Sequence, residues 1–194
     1  MTKTRLEAFS DAVIAIIMTI MVLELKVPHD TTWKSLEHLW PVWISYVLSF
    51  IMLGIYWGNH HHLIHTIKEV RGGILWANLH LLFWLSLIPF VTSWMGENHF
   101  SAWPVALYGL VLLMCGMAWE IQRRVLLRGH EPDSALARAL GRNRKEWASL
   151  VLYAAAIGLA FINSWLACGL YALVAAIWLI PDRRLEREIK TAAH

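Results

Sequence analysis

Six long apolar stretches, separated by short polar segments, limit most strongly how this chain can fold. Of its 194 residues, 58% are hydrophobic and 16% are charged, whereas about a quarter of an ordinary soluble domain is charged. A helix needs roughly 20 residues to cross a bilayer core of about 30 Å. Six crossings leave only short loops and tails, too little for a separate soluble domain of about 100 residues. The sequence therefore predicts a single all-α membrane domain over residues 1–194.

The apolar stretches predict six transmembrane helices, and the last two are the shortest. The predicted spans are about 6–25, 39–65, 74–95, 102–121, 147–162 and 164–180. A tight hairpin around Asn163 and Ser164 joins the last two spans. Pro89 predicts a kink in the third span, because proline lacks the backbone N–H of a continuous helix.

The positions of the basic residues predict that both termini are cytoplasmic. Short loops rich in Lys and Arg stay on the inner side of the membrane. With the N-terminus inside, only Lys26 and Lys34 lie in outer loops. The other fifteen basic residues lie inside, namely Lys3, Arg5, Lys68, Arg71, Arg123, Arg124, Arg128, Arg138, Arg142, Arg144, Lys145, Arg183, Arg184, Arg187 and Lys190. The net charge of +3 therefore marks orientation beside anionic lipid, and no nucleic-acid partner is expected.

The first predicted helix differs from the others in its polar content. It carries Glu7, Ser10, Asp11, Thr19 and Glu24 within the length of one crossing. A charged side chain facing lipid costs several kcal/mol, so such groups usually face protein or a water-filled cavity. The acidic residues, and the lack of a small-residue cleavage site after the apolar run, predict a retained helix rather than a signal peptide. This helix is expected to be central in the assembly.

Ile16, Ile20 and Leu23 form an apolar stripe on the first helix, with Thr19 beside them. Positions three and four apart share one face of a helix. A ring of such side chains from several subunits would close a pore by dewetting, and the Thr19 hydroxyl would offer an oxygen to an ion. An ordinary packing surface has the same spacing, so spacing alone leaves both interpretations open.

Three short motifs are typical of one channel family. They are Arg5-x-x-x-Phe9-Ser10-Asp11 in the first span, Tyr56-Trp57-Gly58-Asn59-His60-His61 in the second, and Leu75-Trp76-Ala77-Asn78-Leu79 followed by Pro89-Phe90 in the third. Together they resemble the signature of bacterial relatives of transmembrane protein 175, the endosomal and lysosomal potassium channel. The resemblance is specific over the first three spans, and beyond them it rests on hydropathy and length.

The resemblance implies a homotetramer in the bacterial plasma (inner) membrane, with the first of six helices lining a central pore. It implies a potassium-permeable cation channel with passive flux, and not an enzyme. Ile16 matches the family's hydrophobic constriction, Ile20 and Leu23 match further apolar layers, and Thr19 matches a polar pore position. The implied partners are further copies of the chain, membrane lipid and monovalent cations. No cofactor is expected apart from the permeant K⁺.

The motif residues are interpreted as a structural network that fixes the first helix. A desolvated carboxylate such as Asp11 needs a charged partner or hydrogen-bond donors. The predicted network comprises Arg5, Phe9, Ser10, Asp11, His60, His61 and Asn78. On this interpretation these side chains do not coordinate the permeant ion.

A metal site is the first alternative that the sequence raises. His61 and His65 are one helical turn apart and could chelate zinc. No carboxylate lies at the usual spacing between them, and no His-Glu-x-x-His pattern occurs. The pattern therefore predicts no bound metal.

A proton-coupled membrane transporter is the alternative function. Asp11, Glu24 and several histidines are ionisable groups at membrane depth. Transporters often carry inverted internal repeats and broken helices at mid-membrane, and no repeat relates residues 1–95 to 96–194. The channel is therefore favoured, and a purely structural membrane protein without flux is a third possibility.

Overall fold

The computed structural model describes residues 2–65, 67, 70–128 and 144–179, and within them regular structure is entirely helical. The helices are α1 (Lys3–Leu23), α2 (Trp33–Glu37), α3 (Trp40–His65), α4 (Gly72–Ser86), α5 (Ile88–Glu97), α6 (Ala102–Leu127), α7 (Arg144–Leu159) and α8 (Ser164–Leu179). The predicted all-α class is confirmed.

Among the residues that the structure describes, four helical segments are long and apolar enough to cross a membrane. They are α1, α3, the combined run of α4 and α5 (Gly72–Glu97), and α6. Helices α7 and α8 have 16 described residues each. The described residues begin again at Arg144 and end at Leu179, so the full lengths of these two helices lie outside the description and the count of six crossings stays a prediction.

The orientation of the termini also stays a prediction. Much of the basic charge on which it depends falls outside the described residues, namely Lys68, Arg138, Arg142, Arg183, Arg184, Arg187 and Lys190.

The helix that contains the fourth predicted span is longer than expected. The sequence placed Arg123 and Arg124 in a connecting loop after residue 121, but α6 continues to Leu127. Both arginines bind Glu120 on the same helix, with nitrogen–oxygen distances of 2.7 and 2.6 Å. Side chains three and four positions apart are neighbours on a helix surface, so this charged segment pairs internally and remains helical.

Both helix breaks expected from the sequence are present. Leu87 separates α4 from α5, with Pro89 in the first turn of α5. Pro89 has no N–H to donate to the preceding turn, which explains the break. Between α7 and α8, Asn163 Oδ1 accepts hydrogen bonds from the backbone nitrogens of Trp165 at 2.9 Å and Leu166 at 3.3 Å. Asn163 therefore caps α8 and forms the predicted hairpin.

The core forms around α6, which packs against α4, α5, α7 and α8. Hydroxyl groups inside it are paired between helices: Thr92 Oγ1 lies 2.7 Å from Ser49 Oγ, and Ser49 Oγ lies 2.9 Å from the Tyr108 hydroxyl. Such pairing avoids the cost of burying an unbonded polar group.

Helix α1 packs against α3, α4 and α5 on one side. Its contact face consists of the buried residues Leu6, Ser10, Ile14, Ile17 and Met21. The opposite side of α1 is not covered by the described part of the chain. The fold therefore presents one face of the motif-bearing helix to its surroundings.

Candidate functional site

The uncovered face of α1 carries the residues that the sequence assigns to a pore. Ile16, Ile20 and Leu23 have 56%, 41% and 78% of their surface exposed, and Thr19 is also exposed. At about 100° per residue, these four positions lie on the side of the helix away from its buried face. They are therefore available for contact with other copies of the chain or with lipid.

The Thr19 hydroxyl has a defined orientation. Its Oγ1 donates a hydrogen bond of 2.9 Å to the carbonyl oxygen of Ile16, one turn earlier on α1. A hydroxyl has one proton and two acceptor lone pairs. With the proton used inside the helix, the oxygen is left as an acceptor on the exposed face.

A buried hydrogen-bond network ties the other face of α1 to three helices. Asn78 Nδ2 donates to Ser10 Oγ at 3.0 Å, and Ser10 Oγ donates to the Leu6 carbonyl oxygen at 2.8 Å. Asn78 Oδ1 lies 2.7 Å from His60 Nε2 and accepts from Gln122 Nε2 at 3.1 Å. With Asn78 Oδ1 as acceptor, His60 carries its proton on Nε2.

These four polar side chains are at most 1% exposed, and they come from four different helices. Buried polar groups are costly unless they are paired, so the network favours one rotation and one depth of α1. The structure thus brings together Ser10, His60 and Asn78, which are three of the seven residues of the predicted network.

Gln122 is a network member that sequence reasoning missed. The predicted fourth span ended at residue 121, so Gln122 was assigned to a loop. The sequence does contain a signal for this position. The apolar residues Cys115, Ala118, Trp119 and Leu126 follow a helical spacing, and all four are buried in the structure. That pattern continues the inner face of α6 through Gln122.

The remaining motif residues lie outside this network. Asp11 Oδ1 accepts a hydrogen bond of 3.0 Å from Trp57 Nε1 on α3. Phe9 is 45% exposed, and Arg5 is exposed with no side-chain polar partner in the described chain. The opposite charges of Arg5 and Asp11 therefore do not pair within one subunit, and the structural role of Arg5 and Phe9 stays a prediction.

His61 belongs to a second cluster, with Glu7 and His65. Glu7 Oε1 lies 3.3 Å from His61 Nδ1 and 3.1 Å from His65 Nε2. The two imidazole rings meet edge to face with centroids 4.5 Å apart. Sequence reasoning missed Glu7 here because this carboxylate comes from a different helix than the histidines.

An ion pair holds the segment that follows α1. Lys26 Nζ lies 2.7 Å from Glu97 Oε1 at the end of α5. The hydrogen bond and negative charge of Glu97 raise the pKa of Lys26 above its usual value. Because the pair is solvent-exposed, it positions this segment and adds little stability.

The helical architecture and the relatives define a multi-pass membrane protein of the channel class. The family described as the endosomal/lysosomal potassium channel TMEM175 matches residues 5–89. A potassium channel of Chryseobacterium sp. is 53% identical over 190 residues, which are 98% of this chain and 99% of that relative. A potassium channel of Streptomyces collinus is 33% identical over 184 residues, covering 88% of each chain.

A solved structure gives the same result. The crystal structure of a lysosomal potassium-selective channel TMEM175 homologue from Chamaesiphon minutus matches with a TM-score of 0.80 and 26% identity, over 92% of this chain and 96% of that one. The chain belongs to the TMEM175 family. The resemblance noted from the three motifs is confirmed, as is the expectation that the chain is not an enzyme, because these relatives are channels.

Proposed function

We propose that this chain is a potassium-permeable cation channel through which ions flow passively. The observation that carries the proposal is that Ile16, Thr19, Ile20 and Leu23 all lie on the face of α1 that the described residues leave uncovered. The relative that is 53% identical over almost the whole chain is named a potassium channel. The proposed location is the plasma membrane of a bacterium, with both termini cytoplasmic.

The proposed pore is formed by four copies of α1 around a central axis. The uncovered face of one α1 helix cannot enclose an ion path, so the proposed path requires the same face of further subunits. Identical subunits commonly assemble in closed symmetric arrangements. In such a ring, Ile16, Ile20 and Leu23 form apolar layers. Narrow apolar layers exclude water and so stop ions, which closes the pore.

The proposed opening movement involves the second half of α1. Hydrogen bonds hold its first half through Ser10 and Asp11. The second half packs inward through Ile14, Ile17 and Met21, which are apolar. Apolar contacts are not directional, so this half can rotate or slide at lower cost than the first half. Such a movement would displace the Ile16 and Ile20 layers and admit water.

Recordings from purified protein in planar bilayers test the proposal. A channel is expected to pass current whose reversal potential follows the K⁺ gradient, without any proton gradient. Strict exchange of cations for protons would instead support the proton-coupled transporter. A folded, oligomeric protein that passes neither current nor exchange flux would overturn both functions.

The variant Ile16→Ala tests the gate itself, and Ile44→Ala is its matched control. Ile44 lies on α3 and is 49% exposed, close to the 56% of Ile16. Ile16→Ala is expected to raise the current several-fold because it widens an apolar layer, whereas Ile44→Ala leaves the current unchanged. Equal currents in the wild type and Ile16→Ala would remove Ile16 from the gate.

A further inference from the structure

Glu7, His61 and His65 gather three metal-binding atoms where α1 begins and α3 ends. Each residue offers one such atom, and the three atoms lie within 4.8 Å of one another. Glu7 Oε1 is central, at 3.3 Å from His61 Nδ1 and 3.1 Å from His65 Nε2. The carboxylate that the histidine pattern lacked in the sequence is therefore supplied by the fold.

These spacings fit a tetrahedral metal ion. Zinc binds histidine nitrogen and carboxylate oxygen at about 2.0–2.2 Å. In a tetrahedron of that size, neighbouring ligand atoms are about 3.3–3.5 Å apart. The two distances from Glu7 Oε1 are close to this edge length, and a small rotation of the His65 side chain, which is 51% exposed, would adjust the third.

A second observation concerns His61 Nδ1. This atom is buried and has no hydrogen-bond partner in the described chain, although it lies 3.3 Å from the Glu7 carboxylate. One cation bound to both His61 Nδ1 and Glu7 Oε1 would give His61 Nδ1 a partner. Buried polar atoms without partners are rare, and a bound water or ion is one way in which they are satisfied.

The chemical types of the three ligand atoms indicate which class of metal ion the site would bind. Two imidazoles and one carboxylate suit zinc and other divalent first-row transition metals, whereas calcium and magnesium prefer oxygen ligands alone. The side chains of His61 and His65 are 38% and 51% exposed, so water can reach the site and fill a fourth position.

The neighbouring charges place limits on the affinity. Lys3 Nζ donates a hydrogen bond of 2.6 Å to the His65 carbonyl oxygen, so an ammonium lies beside the site and opposes a bound cation. Asp11, one turn beyond Glu7 on α1, adds a negative charge. The Trp57 ring contacts the His61 ring with centroids 6.0 Å apart and restricts its orientation.

We propose that Glu7, His61 and His65 form a binding site for Zn²⁺ or a similar transition-metal ion, which links the start of α1 to the end of α3. Occupancy restrains α1 one turn before the Ser10 network and so reduces ion flux. The effect on flux rests on the proposed function, whereas metal binding does not.

Zinc titration of the full-length, tag-free protein in detergent at pH 7.5 tests the site, because histidines must be neutral to bind metal. The expected stoichiometry is one Zn²⁺ per chain. Glu7→Gln and His65→Ala are each expected to weaken this binding at least tenfold. His62→Ala is the matched control, since His62 is on the same helix but outside the cluster.

The possible results distinguish a failure of the proposed metal site from a failure of the proposed channel function. Zinc binding that is absent in the wild type, or unchanged in both Glu7→Gln and His65→Ala, overturns the site. His65 is half exposed, so His65→Ala is expected to fold even if Glu7→Gln does not, and circular dichroism checks both. If zinc inhibits flux equally in the wild type and in His65→Ala, the regulatory role is overturned. If neither the wild type nor any variant passes ions, the channel proposal fails, and the result of the zinc titration is unaffected.

Discussion

Asn78 Nδ2 donates a hydrogen bond of 3.0 Å to Ser10 Oγ, and neither side chain is exposed to any measurable extent. This contact joins α4 to the helix that carries the proposed pore face. Asn78 Oδ1 also accepts hydrogen bonds from the side chains of His60 and Gln122. One amide is therefore bonded to side chains on α1, α3 and α6. Asn78 therefore links α1 to α3, α4 and α6 through one side chain.

Replacing Asn78 is expected to destabilise the protein substantially. Asn78→Leu leaves the buried Ser10, His60 and Gln122 without their shared partner, and each unsatisfied group costs about 1–3 kcal/mol. We expect a lower melting temperature in detergent and loss of oligomer on size exclusion. Asn59→Leu is the control, because among the described residues the Asn59 amide donates to the Ile55 carbonyl of its own helix and to no other helix. Equal melting temperatures for the two variants would contradict the central role of Asn78.

Replacing Gln122 is expected to have a smaller effect. Gln122 donates one hydrogen bond of 3.1 Å to Asn78, but its Oε1 is buried without a partner among the described residues. Gln122→Leu removes a bonded donor and an unbonded acceptor together, so the net change is about 1 kcal/mol or less. The measurement is the same thermal melt. A loss as large as that of Asn78→Leu would show that Gln122 contributes as much to the network as Asn78.

Thr19→Val tests whether an oxygen at this position contributes to selectivity. Valine keeps the branched shape but removes the hydroxyl, and the residue is exposed, so the folding stability should change by less than about 0.5 kcal/mol. The preference for K⁺ over Na⁺, read from the reversal potential with the two ions on opposite sides, is expected to fall. Thr19→Ser retains the oxygen and should preserve that preference. An unaltered reversal potential in Thr19→Val would exclude Thr19 from ion contact.

Gly109 permits a close contact between α6 and α8. A Cβ placed there would overlap the Tyr171 hydroxyl and approach its Cζ to 2.7 Å and Ile157 Cγ1 to 3.0 Å. Gly109→Ala is expected to lower the free energy of unfolding by about 1–3 kcal/mol, because overpacking forces side chains out of place. Gly158→Ala is the control, since no described residue would lie within 4 Å of a Cβ added there. If both variants melt at the wild-type temperature, the α6–α8 contact is looser than described.

The sequence predicted the parts of the fold that local chemistry determines. Pro89 has no N–H and must interrupt a helix, and Asn163 is a good helix cap, so both breaks could be placed in advance. Ser10, His60 and Asn78 could be grouped because polar side chains in apolar helices must pair with one another.

Other features depend on how the helices rotate against each other, which the linear pattern does not specify. The pairing of Glu7 with His61 and His65 follows from the packing of α1 on α3. The burial of Arg123 beside Glu120 is not evident from the sequence, because a charged segment after an apolar run indicates the end of a span. The described part of α7 begins at Arg144 and that of α8 ends at Leu179, so the structure does not test whether these two helices cross the membrane.

The hydrogen bond from Thr19 to the Ile16 carbonyl has a consequence for the sign of charge that can pass. With its only proton held by the helix backbone, the hydroxyl has nothing to donate to an approaching anion. In the proposed ring of four chains, chloride would meet oxygen lone pairs on all sides and be repelled, while a cation would be attracted. Discrimination against anions would then need no acidic side chain in the constriction.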